Sequence, residues 1–350
     1  MDTAAFAHNL RRVREFAPGA RVLAVIKANA YGHGIVAAAR ALAGADAFAV
    51  ARLEEALALR EAGIAARIVL LEGVQDETGL AAAAAQELEP FVCQDAQVAL
   101  LERWRGAHSF RIWLKIDSGM GRLGFRPAQV PQAMARLSAC AAIAGPPRLA
   151  THLAEAEERG NPHTRAQLAR FAAATAGLPG ERSIANSAGL IAWPEARADW
   201  VRPGIMLYGI SPFPESTGAE LGLRPVMTLM TRVIAVKELA AGDRVGYGGT
   251  WAAPGPARIA IVEAGYGDGY PRSTANGTPA LVNGRQASLA GRVSMDMLAI
   301  DVSGLPDVLP GDPVQLWGPQ VPVERVAAAA GTIAYELTCR VSRRVPHEVS

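Results

Sequence analysis

The sequence predicts an α/β chain: an N-terminal (β/α)8 TIM barrel followed by a mostly β C-terminal domain. Three observations carry this. Short apolar runs alternate with longer alanine-rich stretches through the first two hundred or so residues. Those runs do not alternate with polar residues, which is how strands buried on both faces of a parallel sheet read. Near residue 212 the pattern breaks at Pro212, Pro214 and Gly218, and the apolar runs beyond are closely spaced.

Taken in order, the strand runs of the first domain are Arg21–Lys27, Asp46–Ala51, Arg67–Leu71, Glu89–Cys93, Arg111–Ile116, Pro147–Leu153, Arg182–Asn186 and Trp200–Leu207. Amphipathic stretches such as Leu53–Ala62, Gln97–Trp104, Val130–Cys140 and Thr164–Ala176 read as the helices between them. A doubly wound sheet is the alternative, but no GxGxxG follows the first run. The second domain offers Met227–Val236, Arg258–Val262, Pro279–Val282, Gln286–Ala290, Met297–Val302 and Pro313–Leu316 as strands, with a helix around Val323–Ala330. Asn283-Gly284 is a two-residue hairpin signal. The expected domains are residues 1–215 and 216–350.

Composition narrows the function. A chain of 350 residues, 50% hydrophobic, has material for two cores. The net charge of +2 and scattered basic residues suggest neither nucleic acid nor an anionic membrane as partner. Cys93, Cys140 and Cys339 are far apart, with no CxxC spacing, so neither a disulfide framework nor a metal site is expected. The histidine spacing gives no zinc site. No run is long and apolar enough to span a bilayer, and the first residues do not read as a signal peptide, so a cytoplasmic enzyme is expected.

In a barrel of this kind, chemistry sits at the C-terminal ends of the strands. Lys27 ends the first run, residues 117–122 follow the fifth, His152 closes the sixth, Asn186 and Ser187 the seventh, and Arg202 to Ile205 lie in the eighth. A lysine inside an apolar strand is desolvated, which favours its neutral amine, and a neutral amine attacks aldehydes. Pyridoxal phosphate offers such an aldehyde. Ser187 and the Gly204-Ile205 backbone, after strands seven and eight, suit a phosphate. Read singly, each also has a plain structural reading: Lys27 as half of an ion pair, Gly204 as a tight turn, Tyr247, Tyr266 and Tyr335 as strand or helix residues.

The segment AVIKANAYGHG at 24–34 resembles the pyridoxal-phosphate attachment motif of the alanine racemase family. The resemblance continues in KIDSGMGRLG at 115–124, THLA at 151–154, NSA at 186–188, RPGIMLYG at 202–209, VGYG at 245–248, GYGDG at 265–269 and GRVSMD at 291–296. It runs in order through both domains. It implies interconversion of L- and D-alanine by a homodimer with shared active sites, either supplying D-alanine for cell-wall precursors or serving D-alanine catabolism. Lys27 would hold pyridoxal 5'-phosphate and act as one base, and Tyr247 of the other subunit as the second. Arg202 would face the pyridine nitrogen with His152 beside it. Tyr31, Ser187, Gly204, Ile205 and Tyr335 would hold the phosphate. Arg122 would meet the phenolic oxygen and the substrate carboxylate, with Tyr266 and the Met295 backbone of the other subunit completing the substrate pocket. Lys115 matches a position that can be carbamylated.

Two departures stand out. The family opens with a short strand before the first helix, and this sequence starts after it, so the expectation is either that the second domain lacks one strand or that the start is misplaced. THLAEAE at 151–157 departs from the commoner Phe and Asp of that motif, which touches loop packing rather than chemistry. Three alternatives remain: a pyridoxal-phosphate decarboxylase, disfavoured because it would place a carboxylate where Arg202 stands; a non-enzymatic pyridoxal-phosphate-binding protein, which would lack Tyr247 and its domain; and a broad-specificity racemase.

Overall fold

The computed structural model describes residues 1–348. Two compact units emerge: Phe6–Leu207, and the chain from Tyr208 together with Met1–Ala5.

The first unit is a closed barrel of eight parallel strands in sequential order. They are β1 (Arg21–Val25), β2 (Ala47–Val50), β3 (Ile68–Leu70), β4 (Glu89–Val92), β5 (Trp113–Lys115), β6 (Arg148–Ala150), β7 (Arg182–Ser183) and β8 (Trp200–Val201). Leu23 pairs with Ala47 across β1 and β2, and Arg21 with Trp200 closes the ring. Each sequence run contains its strand, but β7 and β8 keep only two residues each. In the eighth run, Pro203 has no N–H to give to a ladder. The chain instead turns into a 3-10 segment, Ile205–Tyr208.

The N-terminal mouth of this barrel is filled. Glu89 takes a two-pronged bond from Arg67, at 2.9 and 3.0 Å, and further bonds from Trp113 and Arg148. Glu181 takes Arg148, Trp200 and Arg21. Three guanidiniums thus enclose two carboxylates between two indoles, and both carboxylates are fully engaged in ion pairs and hydrogen bonds. Conservatively satisfied charge at the bottom of a barrel serves stability.

The second unit contains an antiparallel barrel of six strands: β9 (Leu229–Leu239), β12 (Ala257–Val262), β13 (Pro279–Val282), β14 (Arg285–Leu289), β15 (Leu298–Asp301) and β16 (Pro313–Trp317). A separate small pair, β10 (Arg244–Val245) and β11 (Trp251–Ala252), was not expected from the sequence. Asn283 and Gly284 both take positive φ, 51° and 73°, as a tight hairpin between β13 and β14 requires. The barrel closes without a strand from before the first helix, and the N–H of Asp2 bonds the Val226 carbonyl at 2.9 Å. Among the described residues no helix is long and apolar enough to cross a membrane.

Candidate active site

Lys27 leaves β1 into an unusual turn. Ala28, Asn29, Ala30 and Tyr31 all adopt left-handed φ, 52° to 54°, and Gly32 follows at 81°. None of the four is glycine, and each L-residue there costs about 1–2 kcal/mol. Strain of this kind persists only where surroundings over-determine it, and it gathers at functional sites. The determinants are visible. The Ala30 N–H bonds Ile26 O at 2.9 Å, and the Gly32 N–H bonds Ala28 O at 3.0 Å. Glu55 accepts from Ala28 N–H at 2.5 Å and Asn29 N–H at 3.4 Å. Asn29 Oδ1 accepts from Ile35 N–H at 2.9 Å. His33 Nδ1 lies 3.0 Å from the carbonyls of both Ala30 and Tyr31. Two acceptors facing one ring nitrogen require that nitrogen to carry the hydrogen.

The turn buries Tyr31 to 8% exposure and sets its hydroxyl beside Gly204. A Cβ at Gly204 would overlap that hydroxyl. Gly204 and Met206 donate to Ser187 Oγ at 3.0 and 3.4 Å. Leu207 N–H folds back onto Gly204 O at 2.9 Å, so the Gly204 and Ile205 N–H groups head the 3-10 turn. Two hydroxyls and two backbone donors therefore converge at the ends of β7 and β8.

Behind them lies Arg202, 4% exposed. Its guanidinium donates to Ser183 Oγ at 2.6 Å, to Ile184 O at 3.1 Å and to Thr151 O. Its Nη2 lies 3.5 Å from His152 Nδ1. Burial pushes its pKa down to about 10, which still leaves it charged near neutrality. His152 is held well below the usual imidazole value, first by burial and then by the charges of Lys115, Arg202, Arg122 and Lys27. It is neutral, and because Nδ1 faces a donor, the hydrogen belongs on Nε2.

Lys115 ends β5, 9% exposed, with its Nζ 5.8 Å from the Phe91 ring. Burial, then Arg202, pushes its pKa far down, and Arg122 adds to this. The nearby carboxylate of Asp117 is committed elsewhere: it accepts from the N–H groups of Gly119, Met120 and Gly121 at 2.9–3.1 Å and so shapes the loop that carries the exposed Arg122. A Cβ at Gly124 would press on Lys115 and the Asp117 backbone, so that loop closes only with glycine. The C-terminal mouth thus gathers Lys27, Lys115, Arg122 and Arg202 with little counter-charge, unlike the N-terminal mouth.

In the second unit, Tyr247 begins the 3-10 turn Tyr247–Gly249 between β10 and β11 and is 65% exposed. Asn276 ties this loop down, donating to Thr250 O at 2.9 Å and accepting from Gly291 N–H at 2.7 Å. Tyr266 and Met295 lie on two loops bonded together: Tyr266 N–H to Ser294 O at 3.0 Å and Gly267 N–H to Met295 O at 2.8 Å. Arg344 clamps the same loops through Asp268 and Asp296, at 2.9 and 2.8 Å. Tyr335 lies on the helix Ala334–Arg340.

Family models decide the kinship. Residues 1–212 match the alanine racemase N-terminal domain, and residues 226–349 the alanine racemase C-terminal domain. The chain belongs to the alanine racemase family. An alanine racemase of Nitrosococcus oceani is 52% identical over 347 residues, covering 99% of this chain and 97% of the relative. The crystal structure of the biosynthetic alanine racemase of Pseudomonas aeruginosa superposes with a TM-score of 0.96 at 46% identity, covering 100% of this chain and 98% of that one. The alanine racemase of Bartonella henselae, solved with covalently bound pyridoxal phosphate, is 29% identical with a TM-score of 0.89, covering 100% and 98%.

Of the residues the family motifs single out, the first unit brings together Lys27, Tyr31, Lys115, Arg122, His152, Ser187, Arg202, Gly204 and Ile205 at one barrel mouth. Tyr247, Tyr266, Met295 and Tyr335 belong to the second unit. Sequence reading passed over Glu55, Ser183 and Asn276, and gave Thr151 no role within its motif. Glu55 had a faint signal, a carboxylate at the third position of the helix Leu53–Glu61, where such groups reach back to backbone N–H groups. The other three act through partners remote in sequence.

Proposed function

We propose that the protein interconverts L- and D-alanine with pyridoxal 5'-phosphate held at Lys27. The observation that carries this is the cationic barrel mouth, where Lys27 stands on a strained left-handed turn beside a cradle of hydroxyl and N–H donors. The donor set fits the cofactor. An amine meets its aldehyde. Tyr31, Ser187, Gly204 and Ile205 would hold its phosphate, and the missing Cβ at Gly204 leaves the space. When bound, the cofactor supplies an electron sink that acidifies the α-hydrogen of an amino acid.

The chain's own groups do the rest. Lys27 moves the proton on one face of the substrate, and Tyr247, supplied by the partner subunit of a homodimer, moves it on the other. Two bases on opposite faces are the simplest way to invert a carbon. Arg202 donates hydrogen bonds and cannot accept a proton near neutrality, so a ring nitrogen held against it would stay unprotonated. His152 offers its bare Nδ1 to Arg202 and keeps Nε2–H for a second partner. Arg122 would hold the phenolic oxygen and the substrate carboxylate, and Tyr266 and the Met295 backbone, supplied like Tyr247 by the partner subunit, would bound the pocket. Lys115, a buried amine among cations, takes up carbon dioxide: the nitrogen bonds the carbon, a proton leaves, and the carbamate anion supplies the counter-charge for Arg122 and Arg202.

Exposed apolar groups at Tyr247, Tyr266, Met295 and Met297 support a partner subunit covering this face. Cofactor binding belongs to residues 1–215 and the partner-facing chemistry to 216–350, in a cytoplasmic enzyme that supplies D-alanine. The test is an assay of purified holoenzyme against a panel of L-amino acids read by chiral chromatography. D-alanine as the main product is expected. Faster turnover of another amino acid would replace alanine as substrate, and no turnover of any would leave a binding protein.

A further inference from the structure

Glu55 joins two strand ends that the site depends on. Its Oε1 accepts from the N–H groups of Ala28 and Asn29, at 2.5 and 3.4 Å. Its Oε2 accepts from Ala51 and Arg52, at 2.9 and 3.2 Å. The first pair are the leading N–H groups of the left-handed turn, which have no partner within the turn, since its own ladder begins with Ala30 N–H to Ile26 O. The second pair follow β2, the neighbour of β1 in the barrel. One half-buried carboxylate therefore satisfies four backbone donors and ties the segment after Lys27 to the segment after β2.

The Ala28 N–H belongs to the peptide that joins Lys27 to Ala28. Holding that peptide fixes the plane from which the Lys27 side chain departs. It also starts the run of positive φ that ends with Tyr31 beside Gly204. Right-handed backbone is the default for Ala28, Asn29, Ala30 and Tyr31. A relaxed turn would move the Lys27 base and the Tyr31 hydroxyl together.

We infer that Glu55 is a positioning residue for racemisation, acting through the Lys27–Ala28 peptide to aim the Lys27 amine. The inference rests on the reading of Lys27 as cofactor-holding base. Glutamine at this position keeps the length but offers one acceptor oxygen in place of two, so one pair of N–H groups loses its partner. Misplacing a reacting group by about 1 Å costs on the order of 100-fold in rate.

The experiment uses the holoenzyme and two readouts. In Glu55→Gln, kcat should fall by roughly 10- to 100-fold. The isotope effect with α-deuterated D-alanine, whose hydrogen Lys27 removes, should rise relative to that with α-deuterated L-alanine. A general loss of stability would lower activity without changing that ratio. The second readout needs no variant: amide exchange in the unaltered protein should show Ala28 and Asn29 protected. An exchange rate at both amides equal to that of free peptide overturns the proposal whether or not Glu55→Gln folds. So does kcat within twofold of the parent, or a loss that leaves the isotope-effect ratio unchanged. Lys27→Ala run in parallel separates the two claims. If it keeps racemising, the reading of Lys27 fails and this role for Glu55 falls with it. If it is dead while Glu55→Gln is fully active, only the role of Glu55 fails.

Discussion

The Nη2 of Arg202 lies 3.5 Å from Nδ1 of His152 and so places the imidazole hydrogen on Nε2, while burial first, and then the surrounding cations, holds the ring neutral. A donor-only group that stays charged has captured the one acceptor of a histidine that cannot take a proton.

That pairing sets a pH dependence. His152 in the folded protein is held well below its ordinary value of 6.5. Below pH 6.5 the unfolded chain binds a proton that the folded protein refuses. The stability tied to the neutral imidazole is therefore full above about pH 6.5 and is lost as pH falls toward the folded value. Melting of the apo-protein should drop on acidification in this range, and His152→Asn should flatten that part of the profile. An identical profile in the variant would mean that His152 protonates freely in the fold.

Gly204→Ala should weaken cofactor binding by at least about 10-fold, because a donor to the phosphate is displaced and a single good hydrogen bond to a charged group is worth about 1.5–3 kcal/mol. The new Cβ meets the Tyr31 hydroxyl, while the Gly204 backbone is not in the left-handed region and accepts alanine without strain of its own. Melting of the apo-protein should stay near the parent. Titration of apo-protein with pyridoxal phosphate reads the effect, and unchanged affinity would remove Gly204 and Tyr31 from the phosphate cradle.

Much of this was legible in the sequence, for identifiable reasons. The eight barrel strands announced themselves as unalternating apolar runs such as Val22–Ile26, all buried. The helix Glu77–Ala85 did not, since ETGLAAAAA has no apolar period. The left-handed turn could not be read: alanine and tyrosine do not favour that region, a single asparagine among them does not announce a run of four, and the carboxylate that holds the turn, Glu55, is remote in sequence from Ala28. The cushions of Arg202, Thr151 and Ser183, come from the end of β6 and from β7, which the parallel pairing of β6, β7 and β8 makes its neighbours.

Lys115 should carry a carbamate in the active enzyme. Its amine is buried near Arg202 and Arg122, and burial first, then Arg202, lowers its pKa and so favours the neutral, nucleophilic form. Labelled bicarbonate should give a carbamate carbon resonance that disappears in Lys115→Ala, along with most of the activity. A fully active enzyme without that resonance would leave Lys115 as a neutral amine.

Shared sites predict complementation. Lys27→Ala and Tyr247→Phe homodimers should each be inactive. Mixed dimers should regain activity, because one of their two sites has both bases intact. Mixed dimers verified by mass spectrometry yet inactive would place both bases in one subunit.

The central claim is that Lys27 and Tyr247 serve opposite faces of the same carbon. Phenylalanine at position 247 keeps the ring and removes the hydroxyl, leaving Lys27 as the only base. In heavy water, the Tyr247→Phe holoenzyme should exchange the α-hydrogen of D-alanine with retention of configuration. L-alanine should exchange roughly 10²- to 10⁴-fold more slowly, the usual contribution of one positioned base. Loss of the α-proton signal, followed by NMR for each enantiomer separately, measures this directly. Equal washout from both enantiomers would contradict Tyr247 as the second base, and faster washout from L-alanine would contradict the assignment of Lys27 to the D-face.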